Sequence, residues 1–286
     1  MADGVQMAAA MIRSIDQGMD EAVVARIEAR LADIGRDHRV AIPLAIESGS
    51  RAWGFPSPDS DYDCRFVFVR PLDHYLSPWQ RRDVIETPMD GILDVNGWDL
   101  GKALKLLLKG NAVIIEWLNS PIAYGVDPGF RQEFLDLARD VADRRLVARH
   151  YLHLGERQRR EYFGDDRIVA LKKIFYALRP AAALRWLRHH PQQAVAPMHF
   201  STLLKGCEAP AAVVEIIEDL MARKAVTREL GSGPLPEPVR AFIDAEFEES
   251  RNAFPQKPQA INPDSRARAE AFFQTTIRRF SENPSP

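Results

Sequence analysis

The segment Val40-Ala-Ile-Pro-Leu-Ala-Ile46, closed by Glu47-Ser48-Gly49-Ser50, restricts the fold more than any other. A short apolar run ending in a glycine turn reads as a buried strand. A loop with Gly54, Pro56 and Pro58 follows over 53–59. Asp61 to Val69 then reads as a second strand, with Cys64, Phe66 and Phe68 alternating against Asp63, Arg65, Val67 and Val69. Two such strands demand a sheet, and the sheet demands covering layers.

The rest of the chain supplies them. Residues 1–36 read as helical, with Val23, Val24, Ile27 and Leu31 at helical spacing. A third strand is expected over 92–96. A helix with Leu100, Leu104, Leu107 and Leu108 on one stripe comes next, then another over 113–118 that stops before Pro121. From Asp127 onward no convincing strand is found. Amphipathic helices are expected over 129–142, 145–163, 167–188, 210–226, 236–253 and 264–281, the last capped by Asp264. Residues 231–236 and 255–263 read as connectors. The expected fold is α+β: a small mixed β-sheet domain with helices over 18–125, followed by an all-helical domain over 126–286.

A length of 286 residues suits one large domain or two modest ones. A net charge of -2 excludes global attraction to nucleic acid or anionic lipid, but arginines cluster at 144–160 and 179–188. Cys64 and Cys207 are far apart and form no metal-ligand spacing, so a reducing cytoplasm is the expected setting. No secretory signal and no run long enough to span a bilayer are read.

Asp61 and Asp63 carry the chemistry. Carboxylates two residues apart on a strand share a face and repel each other. Mg²⁺ relieves that repulsion, and a pair of such ions can clamp the attacking and leaving oxygens of a phosphoryl transfer. An isolated Asp-x-Asp reads more readily as a solvated turn, as in Pro58-Asp-Ser-Asp61. Gly49-Ser50 strengthens the site, because a glycine turn after a strand offers backbone N–H groups and a hydroxyl to phosphate.

This pattern resembles the DNA polymerase β-like nucleotidyltransferase superfamily: an apolar strand, Gly-Ser, about ten residues, then Asp-x-Asp in a second strand. The string from Glu47 to Phe68 looks closer to one branch, predicted nucleotidyltransferases linked to RNA repair. Asp94 to Leu100, Asn111 to Pro121 and Lys172 to Pro180 match that branch too. The resemblance implies a third carboxylate. Asp94, between Leu93 and Val95, is preferred; Asp99 is the rival, and fits a helix cap better.

The resemblance also implies a nucleoside triphosphate as substrate and Mg²⁺ or Mn²⁺ held by Asp61, Asp63 and Asp94. Gly49 and Ser50 are expected to bind phosphates. Lys172, Tyr176 and Arg179 are spaced to share a helix face beside an apolar face of Ile168, Leu171, Phe175 and Leu178. With Lys173 they form a candidate triphosphate clamp, Tyr176 touching base or sugar; an ordinary amphipathic helix fits the spacing equally. Arg51 and Ser60 are candidate phosphate contacts, though each also fits a local structural role. Arg65 could pair with Asp61 and Asp63 or reach the nucleotide. His150 and His153 read as surface or core-edge residues, Trp53, Trp98 and Trp117 as packing, and Glu116 as half of an ion pair. The acceptor stays open: an RNA 3′ end, reached through Arg157, Arg159, Arg160, Arg185 and Arg188, or a protein hydroxyl. A nucleotide-binding regulator without turnover is the non-enzymatic alternative.

Overall fold

The computed structural model describes residues 11–79, 81–164, 168–254 and 260–282. Strand β1 (Ile12–Ser14) precedes helix α1 (Glu21–His38), whose first turn is capped by the Asp20 carboxylate. Strand β2 (Ala41–Glu47), a single helical turn α2 (Gly49–Ala52) and strand β3 (Tyr62–Val69) follow. After the turn α3 (Leu72–Tyr75) come β4 (Val84–Glu86), β5 (Leu93–Asp99), α4 (Leu100–Leu108), α5 (Ala112–Leu118) and β6 (Ala123–Val126). The remainder is α6 (Pro128–Val141), α7 (Arg144–Phe163), β7 (Val169–Ala170), α8 (Ile174–His189), α9 (Phe200–Gly206), α10 (Ala211–Val226), β8 (Ser232–Gly233), α11 (Glu237–Ala253) and α12 (Pro263–Glu282).

The six strands of the main sheet run in the order β1-β6-β2-β3-β5-β4. β3 pairs antiparallel with β2 and parallel with β5, so the sheet is mixed as expected. Alternation along β3 sends its side chains into two different cores. Tyr62, Cys64, Phe66 and Phe68 pack with Val24, Ile27, Leu31 and Ile34 of α1. Val67 and Val69 join a larger core that continues through Phe130, Phe175 and Phe200 to Ile277. Burying a large aromatic or aliphatic side chain stabilises by about 1.5–3 kcal/mol. The helical half is therefore tied to the sheet by the same apolar surface that orders it.

Several boundaries differ from expectation. The N-terminal helix begins only at Glu21, and part of the preceding stretch forms the edge strand β1; residues 1–10 lie outside the described residues. β1, β4 and β6 are short strands without a long apolar run, and β5 continues to Asp99. The helix expected from 167 starts at Ile174, after β7 and a 3₁₀ turn over Leu171–Lys173. Ile168 is 73% exposed and takes no part in an apolar face. Among the described residues after Asp127 the strands are β7 and β8, which pair with each other. Asn262, not Asp264, caps α12: its side chain accepts the Asp264 N–H at 2.8 Å. The connector expected over 255–263 falls largely outside the described residues.

Candidate active site

Parallel pairing of β3 with β5 sets Asp63 directly beside Asp94. Both point to the face shared with Val67 and Val69, because side chains alternate along each strand. Arg65 lies between the two acids. Its Nη2 donates to Asp63 Oδ1 at 2.9 Å and to Asp94 Oδ2 at 2.6 Å, and its Nη1 donates to the Asp94 carbonyl at 2.8 Å. The Asn96 amide donates to Asp94 as well. Burial lifts the Asp63 carboxyl above the usual carboxylate range; Arg65 opposes the rise, and repulsion from Asp94 and Asp61 adds to it. Asp61 lies one residue before β3 and is exposed. Asp99 is on the opposite parity of β5 and is spent structurally: it accepts the Gly101 N–H at 2.8 Å and the Tyr75 hydroxyl at 2.8 Å, capping α4.

The glycine turn rests on this pair. Gly49 has φ +61°, and a Cβ there would stand 2.1 Å from Asp63 Oδ2. Both facts require glycine. The Ser48 N–H donates to the Asp63 carbonyl at 2.9 Å, which carries the β2–β3 ladder up to the turn. Beneath lies Glu47, fully buried. One of its oxygens accepts the Asp63 N–H at 2.9 Å and the other accepts the Tyr124 hydroxyl. Burial pushes its carboxyl up to about 7 against those two hydrogen bonds. Sequence reasoning passed over Glu47; an acid closing an apolar strand was the available signal.

The loop between the motifs is tied to itself. Ser60 Oγ receives hydrogen bonds from the Ser57 N–H at 2.8 Å and from Ser50 Oγ at 3.0 Å. Arg51 donates to the Ser60 and Asp61 carbonyls and covers the Tyr62 ring at 3.9 Å. Arg51 and Ser60 thus hold the loop's shape, and Ser50 is joined to it.

A cleft of about 450 Å³ opens from Ser48, Gly49, Trp53 and Asp63 toward α7 and α8. That volume lies within the range of small-ligand sites. Lys173 and Tyr176 line it. Lys173 Nζ sits over the Tyr162 and Tyr176 rings at 4.3 and 4.8 Å. Burial raises the Tyr176 phenol, and Asp63 and Asp61 add to the rise; Tyr176 and Asp63 line the same cleft. Arg179 also lines the cleft but is buried in an ion pair with Glu116 at 2.7 Å, and Tyr151 donates to the same Glu116 oxygen at 3.1 Å. Lys172 turns outward to Glu229 at 2.8 Å. The four-residue clamp is therefore divided: Lys173 and Tyr176 line the cleft together with Asp63, Arg179 is locked in the wall, and Lys172 lies outside the lining. The reason is the late start of α8, which leaves Lys172 in a 3₁₀ turn where helical spacing does not apply.

Other helical-half residues also settle into place. Arg185 and Arg188 turn inward to the buried Glu246, and Arg159 pairs with Asp244 at 3.2 Å, so these arginines serve the helix packing. Trp98 stacks on Trp117 at 4.0 Å, as packing residues do. His150 lines the cleft, and burial lowers its basicity.

Asp61, Asp63 and Asp94 offer the oxygen donors that a hard divalent cation takes, and such an ion would relieve the repulsion felt by Asp63. Among the described residues no three acidic, histidine or cysteine side chains already converge as a cage. The donor set fits a cation that draws its remaining ligands from substrate phosphates, the usual habit of Mg²⁺.

A glycine turn seated on strand carboxylates is what the resemblance to polymerase β-like nucleotidyltransferases leads one to expect. The chain belongs to the RNA repair pathway DNA polymerase beta family (RlaP), whose family model matches residues 23–275. It is also 37% identical over 223 residues to the Bacillus subtilis (strain 168) protein YcgL, described as uncharacterized. That match covers 78% of this chain and 85% of YcgL. The expected resemblance is borne out. No described helix is long and apolar enough to cross a membrane.

Proposed function

We propose that this chain transfers a nucleoside monophosphate from a nucleoside triphosphate to the 3′ hydroxyl of an RNA, with Mg²⁺ held by Asp61, Asp63 and Asp94. The observation that carries the reading is the seating of Gly49 on Asp63, beside Asp94, at the mouth of a cleft. The metal supplies charge neutralisation on the reacting phosphate and on the leaving pyrophosphate. Gly49 and Ser50 bring backbone and hydroxyl donors within reach of phosphate oxygens. Lys173 offsets phosphate charge from the opposite wall. Arg65 keeps Asp63 and Asp94 parallel and partly neutralised until substrate arrives. Asp94, at the end of that pairing, is the acceptor for the proton of the attacking hydroxyl.

The RNA acceptor rests on the family's RNA repair description. Residues 18–125 carry the chemistry in this reading and 126–286 supply the far wall. The working compartment is a reducing cytoplasm, which suits two free, buried cysteines. Incubation with Mg²⁺, α-labelled triphosphates and either RNA oligonucleotides or cell protein tests the proposal. Label on RNA ending in a free 3′ hydroxyl, and not on RNA blocked there, is the expected result. Label on protein would replace the acceptor, and nucleotide binding without transfer would remove the enzyme.

A further inference from the structure

Beyond the carboxylates the cleft continues between two helix faces. His150, Leu154, Gln158 and Tyr162 recur every fourth residue, so they stack along one side of α7, and all four line the cleft. Trp53, Tyr176 and Tyr162 form a row of rings, with centroids 6.5 and then 5.9 Å apart. This row runs from the glycine turn to the helix that carries Gln158. Aromatic faces edged by a few polar groups suit a flat heteroaromatic ligand.

Two buried donors sharpen that picture. Trp53 Nε1 and Arg179 Nε have no hydrogen-bond partner among the described residues. Arg179 is only 5% exposed, and its guanidinium lies over the Trp53 ring at 4.6 Å. A buried donor without an acceptor is costly, so a ligand with acceptor atoms gains by entering.

The polar groups also discriminate between bases. Both terminal nitrogens of Arg179 are already used, one by Glu116 and one by the Met198 carbonyl at 3.1 Å. Lys173 is drawn over the tyrosines. Neither presents the free fork that reads the O6 and N7 of guanine. Gln158 is half-buried, lines the cleft, and makes no hydrogen bond to any described residue. A glutamine amide offers an acceptor and a donor side by side, the complement of adenine N6–H and N7.

We propose that the cleft between α7 and α8 is an adenine pocket, that Gln158 reads the base, and that the transferred nucleotide is AMP from ATP. The inference rests on the nucleotidyltransferase reading above and adds its substrate. Tyr162 and Tyr176 supply the ring surface on which the base lies, one helical turn from Gln158.

Equilibrium binding tests this on the full chain with Mg²⁺ and the α,β-methylene analogues of ATP, GTP, CTP and UTP, read by calorimetry. The ATP analogue should bind at least about tenfold tighter than the others, the scale of one bidentate base contact. Gln158→Ala should weaken the ATP analogue by about tenfold and leave the other three within about twofold. Gln158→Leu, of similar bulk on the same helix, should behave alike and guards against a folding artefact. Equal affinity for the four bases overturns the inference while leaving nucleotidyl transfer intact. So does a preference for another base, or an adenine preference that survives both variants. So does a loss of RNA binding in Gln158→Ala with ATP binding unchanged, which would assign the pocket to the acceptor. Failure of all four analogues to bind removes both readings together.

Discussion

The two walls of the cleft are built by different means. The strand wall, Gly49, Asp63, Arg65 and Asp94, is fixed by backbone ladders: β2 to β3, β3 to β5, and the Ser48 N–H to the Asp63 carbonyl. Its side chains are placed by register. The helical wall is fixed by side chains. Arg179 is anchored on Glu116, Tyr151 supports Glu116, and α7 and α8 are held together by apolar packing. Register makes a rigid platform for reacting groups, whereas side-chain packing makes a wall whose lining can change at small structural cost. Substitutions of the strand-wall carboxylates should therefore remove chemistry and spare stability. In the helical wall the anchors should cost stability, and the lining should cost affinity.

The largest effect is expected for Asp63→Asn. Loss of metal-assisted charge stabilisation of several kcal/mol should slow nucleotide transfer by about a thousandfold or more, with the melting temperature nearly unchanged. A stability loss as large as the activity loss would erase the contrast between the walls. Arg179→Ala should do the reverse. It leaves the buried Glu116 carboxylate without its cation, which costs about 3–5 kcal/mol in a denaturant titration. A change under about 1 kcal/mol, the scale of a surface pair, would show that the ion pair is not the wall's anchor.

Gly49→Ala comes next. The added methyl meets Asp63 and forces a strained φ, so about 1–3 kcal/mol of strain should appear as lost stability, lost transfer, or both. Lys173→Met should weaken triphosphate binding by about tenfold at low salt while the chain melts as before. An effect that does not shrink as salt rises would argue against a charge role.

A further effect is a pH dependence outside both walls. Lys224 of α10 is buried and donates to the Phe55 carbonyl at 2.7 Å, and burial lowers its pKa from 10.5 to about 8. Between pH 8 and 10.5 the unfolded chain therefore holds a proton that the folded chain has released. Stability from this group should rise with pH across that window and be constant below it. Lys224→Met should flatten the rise in denaturation curves taken at pH 8 and pH 10.

This difference between the walls also decides what could be read from sequence. Register is local. The run ending at Glu47, the glycine turn and the alternation through Val69 mark Asp63 as a candidate from spacing, whereas Asp94 enters only as the third carboxylate that the family resemblance implies, and Asp99 forms the helix cap that its position suggests. The helical wall depends on where a helix starts and which face turns inward. Helical spacing placed Lys172 with Tyr176 and Arg179, but a 3₁₀ turn rotates Lys172 away. Arg179 carries a charge that reads as a phosphate contact until Glu116, far away in sequence, is seen beside it. Gln158 and Tyr162 were not singled out. Their spacing with His150 and Leu154 was visible, but only tertiary packing tells an inward stripe from a solvated one. Short strands such as β1 and β4 carry too few residues for alternation to stand out.

Metal binding tests the chemistry of the strand wall most directly. Mn²⁺ would be titrated into the chain with an α,β-methylene triphosphate, and free ion read by electron paramagnetic resonance. The wild-type chain should withdraw more Mn²⁺ from solution than the analogue does alone, and Asp61→Asn with Asp63→Asn, melting as the wild type does, should withdraw no more than the analogue alone. A double variant that binds Mn²⁺ like the wild type and still transfers nucleotide would contradict the assignment of these carboxylates.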